Sequence, residues 1–165
     1  MTRIGLLSDT HGHWDDKYLL HFSDCDEIWH AGDIGSGIII DKLEEHRPVR
    51  AVYGNIDGRD LRMRFSEVLK FRVEECKVIM KHIGGYPGKY DPSIRTTIYN
   101  ECPQLFISGH SHILKVMHDK STGGLHINPG AAGCQGWQQV RTVIKFTIDG
   151  KEIKDLEVIE LASRQ

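Results

Sequence analysis

The chain has 165 residues, 39% of them hydrophobic and 27% charged, with a formal net charge of −2. That length suits a single domain, residues 1–165, with a core of its own. The slight negative charge argues against strong binding to long nucleic acid, which needs many phosphate-neutralising lysines and arginines, but leaves a small phosphorylated ligand open. No stretch reaches the roughly 20 apolar residues of a membrane-spanning helix, so no membrane partner is expected. Met1 leads straight into a strand-like segment without the features of a signal peptide. The expectation is a cytoplasmic protein. Cys25, Cys76, Cys102 and Cys134 form no Cys-x-x-Cys pair and read as reduced thiols rather than as a zinc ribbon or a redox dithiol.

Short apolar runs, each with the length and composition of a buried strand, succeed one another along the chain. Residues 4–7 end at Ser8-Asp9-Thr10-His11, and a helical pattern over 15–22 follows. Residues 27–31 end at Gly32-Asp33, and a helix over 38–46 follows with Ser36 as its cap. Residues 49–53 end at Gly54-Asn55, and residues 78–80 at Lys81-His82. Asp91 caps a helix over 91–100, and Pro92 takes its first position. Residues 105–107 then end at Ser108-Gly109-His110-Ser111-His112. Five strands thus finish on a side chain able to bind a metal, which gathers those side chains at one sheet edge. Alternating strands and helices imply parallel pairing, with the ligand crevice at the carboxyl ends of the strands.

The last third is strand-rich, with runs over 114–118, 125–128, 141–148 and 152–159 and a hairpin turn at Asp149-Gly150. Thr142, Ile144, Phe146 and Ile148 share one face by period-two alternation. This part reads as a second sheet packed on the first.

Asp9-Thr10-His11, Gly32-Asp33, Gly54-Asn55-Ile56-Asp57, His82 and Gly109-His110-Ser111-His112 occur in the order of the calcineurin-like metallophosphoesterases, which the chain resembles from Arg3 to about Ile148. Asn128-Pro129-Gly130-Ala131 and Val140-Arg141-Thr142 are similar to the small bacterial and archaeal phosphodiesterase branch. The resemblance implies two mixed β-sheets packed as a sandwich and flanked by helices. It also implies that Asp9, His11 and His112 bind one metal, that Asn55, His82 and His110 bind the other, and that Asp33 bridges them. Catalysis would then rest on Asp33 and His110, with a metal-bound hydroxide attacking phosphorus in line. Nitrogen and oxygen donors without thiolate suit divalent transition metals; two are expected, manganese favoured and iron, nickel, cobalt or zinc as alternatives.

An Asp or Asn after a strand is ordinarily a turn or cap residue, and paired histidines are often only solvated. Order and placement together favour ligation. His82 departs from its relatives, which usually continue with Gly and a second His, whereas here Ile83-Gly84-Gly85 follows. His13, His30, Asp57 and Asn128 form a second tier, able to orient ligands through their outer hydrogen bonds. His21, His46, His118 and His126 fall outside the motifs and read as structural or surface residues. Lys81, Arg59 and Arg95 can meet a phosphate or simply be solvated. Ile56 stands where many relatives carry His or Cys, so that catalytic role does not transfer. The expected activity is a two-metal phosphohydrolase on a small phosphate ester, a phosphodiester first, with room for a homo-oligomer. The rivals are a phosphomonoesterase and a non-catalytic scaffold like the retromer subunit of this fold.

Overall fold

A computed structural model describes residues 1–163. The chain runs β1 (Thr2–Leu7), α1 (Lys17–His21), β2 (Glu27–His30), α2 (Gly37–Glu44), β3 (Val49–Ala51), α3 (Arg59–Arg64), β4 (Val68–Val73) and β5 (Cys76–Lys81). It continues with β6 (Gly85–Tyr86), β7 (Lys89–Tyr90), α4 (Pro92–Glu101), β8 (Leu105–Ile107), β9 (Leu114–His118), β10 (Leu125–Pro129), β11 (Val140–Asp149) and β12 (Glu152–Ser163). One sheet has the order β12-β11-β1-β2-β3 and the other β4-β5-β8-β10-β9, while β6 and β7 pair separately. Both large sheets are mixed. Strands β1, β2 and β3 run parallel with β11 antiparallel beside β1. Strands β5, β8 and β10 run parallel between the antiparallel β4 and β9.

The faces explain the sandwich. Ile4, Leu6, Trp29, Ile144, Phe146 and Ile148 of the first sheet meet Val78, Met80, Leu105, Ile107 and Ile127 of the second. The outer face of the first sheet packs Leu7, Ile28 and Val143 on Tyr18, Phe22, Ile39, Ile40 and Leu43, side chains of the α1 and α2 segments. The outer face of the second packs Ile79 and Phe106 on Ile94 and Ile98 of α4. Strands covered on both faces have no polar side to show, which is why β1 and β5 read as continuous apolar runs. Ser36 caps α2 by accepting from the Ile38 amide, and Asp91 caps α4 by accepting from the Ser93 amide. Among the described residues no helix is long and apolar enough to cross a membrane.

Three expectations need correcting. The last third does not build a sheet of its own: β9 and β10 join the second sheet, and β11 and β12 join the first. The five strand ends therefore converge from two sheets, β1, β2 and β3 from one and β5 and β8 from the other, not from a single edge. The hairpin turn falls one residue later than expected, because Asp149 still pairs with Glu152 and Gly150 takes the left-handed conformation, φ +62°. Strand β4, helix α3 and the β6–β7 pair carry weak periodicity and were not expected. The α1 helix shrinks to five residues.

Trp29 is fully buried between the sheets, edge-on to Phe71 at 4.9 Å and to Phe146 at 5.7 Å. Trp29→Ala should cost about 3–5 kcal/mol in denaturant unfolding, the range for large aromatic truncations in a core. A loss below about 1 kcal/mol would mean that the sheets close over the gap without this ring.

Candidate metal centre

The loops that follow the strands are tied to one another by backbone hydrogen bonds. The Asp9 amide donates to the Gly32 carbonyl at 2.9 Å, and the His11 amide to the Asp33 carbonyl at 3.0 Å. The Gly109 amide donates to the His82 carbonyl at 2.9 Å, and the Gly133 amide to the Asp9 carbonyl at 3.1 Å. Asp9, His11, Asp33, His110 and His112 all have positive φ, between 47° and 70°. Left-handed backbone is uncommon for residues with a Cβ and collects at functional sites. Here it turns each side chain inward just where its strand ends. Two glycines leave the room: a Cβ on Gly54 would overlap Asp33 Oδ1, and one on Gly109 would overlap Ser8 Oγ and lie 2.9 Å from Asp9 Oδ2.

Two donor groups result. Donor atoms of Asp9, His11 and His112 lie within 4.8 Å of one another, as do those of Asp33, His82 and His110. The groups adjoin, since His11 Nε2 is 3.7 Å from Asp9 Oδ1 and 3.5 Å from Asp33 Oδ2. His82 Nε2 lies 3.1 Å from Asp33 Oδ2, and His112 Nε2 lies 3.1 Å from Asp9 Oδ1. Asn55 joins them, its Oδ1 3.0 Å from His110 Nδ1. Every first-tier residue named from the sequence thus arrives in one place.

Asp9 Oδ1, His11 Nε2 and His82 Nε2 are buried with no hydrogen-bond partner. An orphaned buried polar atom costs roughly 1–3 kcal/mol, and three facing one point call for a shared partner. A divalent cation fits. Bonds of 2.0–2.2 Å to a metal space neighbouring ligands by roughly 3.0–3.5 Å, close to the 3.1–3.8 Å separations between these carboxylate and imidazole atoms. The donor chemistry, imidazole with carboxylate and amide oxygen, suits a transition metal.

Charge agrees with this reading. Burial would push the Asp9 carboxyl up, but the imidazoles of His11, His112 and His82 hold it well below the usual carboxylate range. Burial also opposes ionisation of Asp33, and His82 with the Ile56 amide overcomes it, leaving its pKa lowered. His82 is raised: burial works against the charged ring, and the Asp33 and Asp9 carboxylates outweigh it. His112 is raised chiefly by the Asp9 carboxylate beside it, 3.1 Å from its Nε2. The depression is therefore built for positive charge.

The second-tier residues do different things from one another. Asn128 donates to the Gly109 carbonyl at 3.0 Å and to Ser111 Oγ at 3.1 Å, bracing the loop that carries His110 and His112. The Asp57 carboxylate accepts from the Ile34, Gly35 and Gly54 amides, pinning the loops of Asp33 and Asn55 without touching those side chains. His30 is fully buried, accepting from the Gly32 amide through Nδ1 while Nε2 meets Thr10 Oγ1. Burial lowers its pKa to about 4, so it acts as a neutral spacer between loops. His13 is half-buried on the turn after His11, and its carbonyl accepts from the Tyr18 hydroxyl.

Sequence reasoning missed Gln138. Its Oε1 accepts from His112 Nδ1 at 2.8 Å while its Nε2 donates to the Gln135 carbonyl, which fixes the tautomer that leaves His112 Nε2 facing Asp9. The Ala31 carbonyl does the same for His82, 2.8 Å from Nδ1. Buried Arg141 ties the Ala132 carbonyl to Asp15, holding the loop that hydrogen-bonds to Ser8 and Asp9. Neither Gln138 nor Ala31 stands in a spacing that marks it.

Two clefts flank the donors and share Ile83. One, of about 310 Å³, runs from His110, Ser111 and Asn128 to Tyr86, Lys115 and His126. The other, of about 220 Å³, runs from Asn55 and His82 to Tyr53, Arg62 and Lys81. His126, read from the sequence as structural or surface, lines the first. Lys81 is buried, and its Nζ donates to the Ile83 carbonyl. Ile56 is 47% exposed.

The calcineurin-like phosphoesterase superfamily domain matches residues 2–151. A probable metallophosphoesterase of Methanothermobacter thermautotrophicus is 29% identical, over 94% of this chain and 91% of its own. A phosphodiesterase of Methanocaldococcus jannaschii is 24% identical, over 93% and 98%. Among solved structures, an archaeal phosphodiesterase superposes with a TM-score of 0.76 at 24% identity, covering 96% of this chain and 99% of its own. A Vps29 from Entamoeba histolytica, solved with Zn²⁺, superposes at 0.72 with 16% identity, covering 99% of each chain. Both superpositions are likenesses of fold. With the family domain spanning nearly the whole length, the chain belongs to the calcineurin-like phosphoesterase superfamily.

Proposed function

We propose that this chain is a two-metal phosphohydrolase acting on phosphodiesters. In this reading Asp9, His11 and His112 hold one divalent cation, Asn55, His82 and His110 hold the other, and Asp33 serves both. The observation that carries it is the convergence of three orphaned donor atoms, on Asp9, His11 and His82, between two adjoining ligand groups. Manganese is the metal favoured in this reading, with iron, nickel, cobalt or zinc as alternatives. Bound there, the pair supplies an activated water and positive charge for the attacking and departing oxygens.

The chain's own residues supply position and charge. The Ile56 amide donates to Asp33 Oδ1 at 3.1 Å and fixes the carboxylate between the two groups. His110 reaches the mouth of the larger cleft, where a phosphate ester would enter. A diester carries a substituent on each side of phosphorus, and the two clefts offer a place for each. The Ile56 side chain holds no proton, so the departing group leaves by its own acidity unless His13 contributes one. A monoesterase would use the same donors, and a scaffold of this fold would need none of them.

Metal analysis of the purified protein should find about two transition-metal ions per chain, removed by chelators together with activity. Asp33→Ala should empty both positions, and His82→Ala only one. Gln138→Leu should weaken metal retention about 10–100-fold, as expected for an outer partner of a ligating imidazole. Full activity in rigorously metal-free protein would sink the assignment and favour the scaffold.

Aryl phosphodiesters should be hydrolysed faster than aryl monoesters at neutral pH under the same metal. A clear preference for the monoester would move the reading to a phosphatase.

Leaving-group quality gives the third check. A positioned general acid is typically worth about 10²–10⁴-fold, and its absence at Ile56 should leave alkyl esters that much slower than nitrophenyl esters. Ile56→His should narrow the gap at unchanged metal content. Similar chemical-step rates for both classes in the wild type, unaltered by His13→Ala, would refute the missing-acid argument.

A further inference from the structure

The two clefts differ in what their cations are doing. In the smaller one, Arg62 donates to the Asp57 and Asn55 carbonyls, and Lys81 donates to the Ile83 carbonyl and lies 3.6 Å from Glu67. Those charges hold the loop walls. The larger cleft is lined by Lys89 and Lys115, and among the described residues neither has a carboxylate within ion-pair distance. Its one acid, Asp91, caps α4 by accepting from the Ser93 amide and hydroxyl. A chain with a net charge of −2 thus places two ammonium groups without an ion-pair partner, among the described residues, in the cleft beside the candidate metal centre.

Lys115 is also held in place. Its Nζ sits 3.7 Å from the centre of the Tyr86 ring, a cation–π contact that restricts a side chain otherwise free to wander. Tyr86 pairs with Lys89 across the β6–β7 hairpin, and Lys115 pairs with Asn128 across β9 and β10. Directly opposed residues project to the same face of a sheet. Lys115 therefore shares its face with Asn128, which braces the His110 loop, and the next pair on that face is His126 with Met117. His126 Nδ1 lies against the Phe106 carbonyl and its ring is stacked on Phe106. Burial keeps that ring neutral, its pKa lowered to about 4, so the cleft's positive charge comes from the lysines alone.

We propose that the larger cleft seats one substituent of the phosphodiester and that this substituent carries a second phosphate group. Lys115, steadied by Tyr86 and seconded by Lys89, is the specificity-determining residue that reads it. The second phosphate is bound and left untouched, as suits lysines acting as point charges. The inference rests on the hydrolase reading for the word substituent, but the ligand chemistry can be tested without turnover.

The experiment is isothermal titration of metal-loaded protein with thymidine 3′,5′-bisphosphate and with thymidine 5′-monophosphate. The bisphosphate should bind about tenfold tighter in the wild type, the effect of one charge-assisted contact. Lys115→Met should erase most of that preference, and Lys115→Arg should keep most of it, which separates lost charge from lost packing. Equal affinities in the wild type, or a preference that survives Lys115→Met, would overturn the proposal. A Lys115-dependent preference without diester hydrolysis would instead retain the cleft's ligand chemistry and remove the hydrolase reading. Hydrolysis without the preference would do the reverse.

Discussion

Asp9 is fully buried with its Oδ1 lacking any hydrogen-bond partner, and Asp33, 2% exposed, stands beside the same imidazoles. Two carboxylates in a depression of low dielectric repel one another strongly, and burial adds a further penalty to each. The surrounding histidines offset part of this, since His82 and His112 are both pushed toward the charged form. They do so with geometry that leaves His11 Nε2 and His82 Nε2 without a hydrogen bond. A cation between the groups meets all three demands together: it compensates the carboxylates, partners the orphaned atoms and allows neutral imidazoles. The rest of the site follows from that constraint. Five candidate ligands take left-handed backbone at roughly 1–2 kcal/mol each, strain that collects where the donors meet.

Such strain needs a rigid frame, and two sheets provide it. A single parallel sheet would set its strand-end residues in a row. Here β1 and β2 deliver Asp9 and Asp33 from one layer, while β5 and β8 deliver His82 and His110 from the other. The ligands consequently surround a point. Cross-layer ties keep the two halves in register at the site: the Ala31 carbonyl beside β2 meets the His82 ring, and Asp9 Oδ2 accepts from the His110 amide.

Much of this was legible in the sequence, and the boundary is physical. Strand ends carrying Asp9, Asp33, Asn55, His82 and His110 stood out because short apolar runs stop abruptly at polar residues. The Ser36 and Asp91 caps were readable because a cap is a local hydrogen bond between near neighbours. The division of the last four strands between two sheets was not, since periodicity marks which face is buried and not which layer buries it. Ile144, Phe146 and Ile148 do share a face, yet that face closes on the second sheet from within the first. Gln138 was invisible for a related reason. Its role depends on a loop meeting His112 across 26 residues, and an outer hydrogen bond imposes no sequence spacing.

Fold and site also depend on different residues. The core between the sheets, from Ile4 and Trp29 to Ile127 and Phe146, contains none of the seven candidate ligands. Apolar patterning alone can therefore maintain the sandwich while the donors change. A sandwich by itself does not imply an activity, so a functional reading stands on the donor set. Metal binding would add stability to the folded chain by linkage, because the two donor groups exist only once both sheets have met. The dependence runs both ways: the core assembles the site, and a metal bound there would reinforce the junction at which the sheets converge.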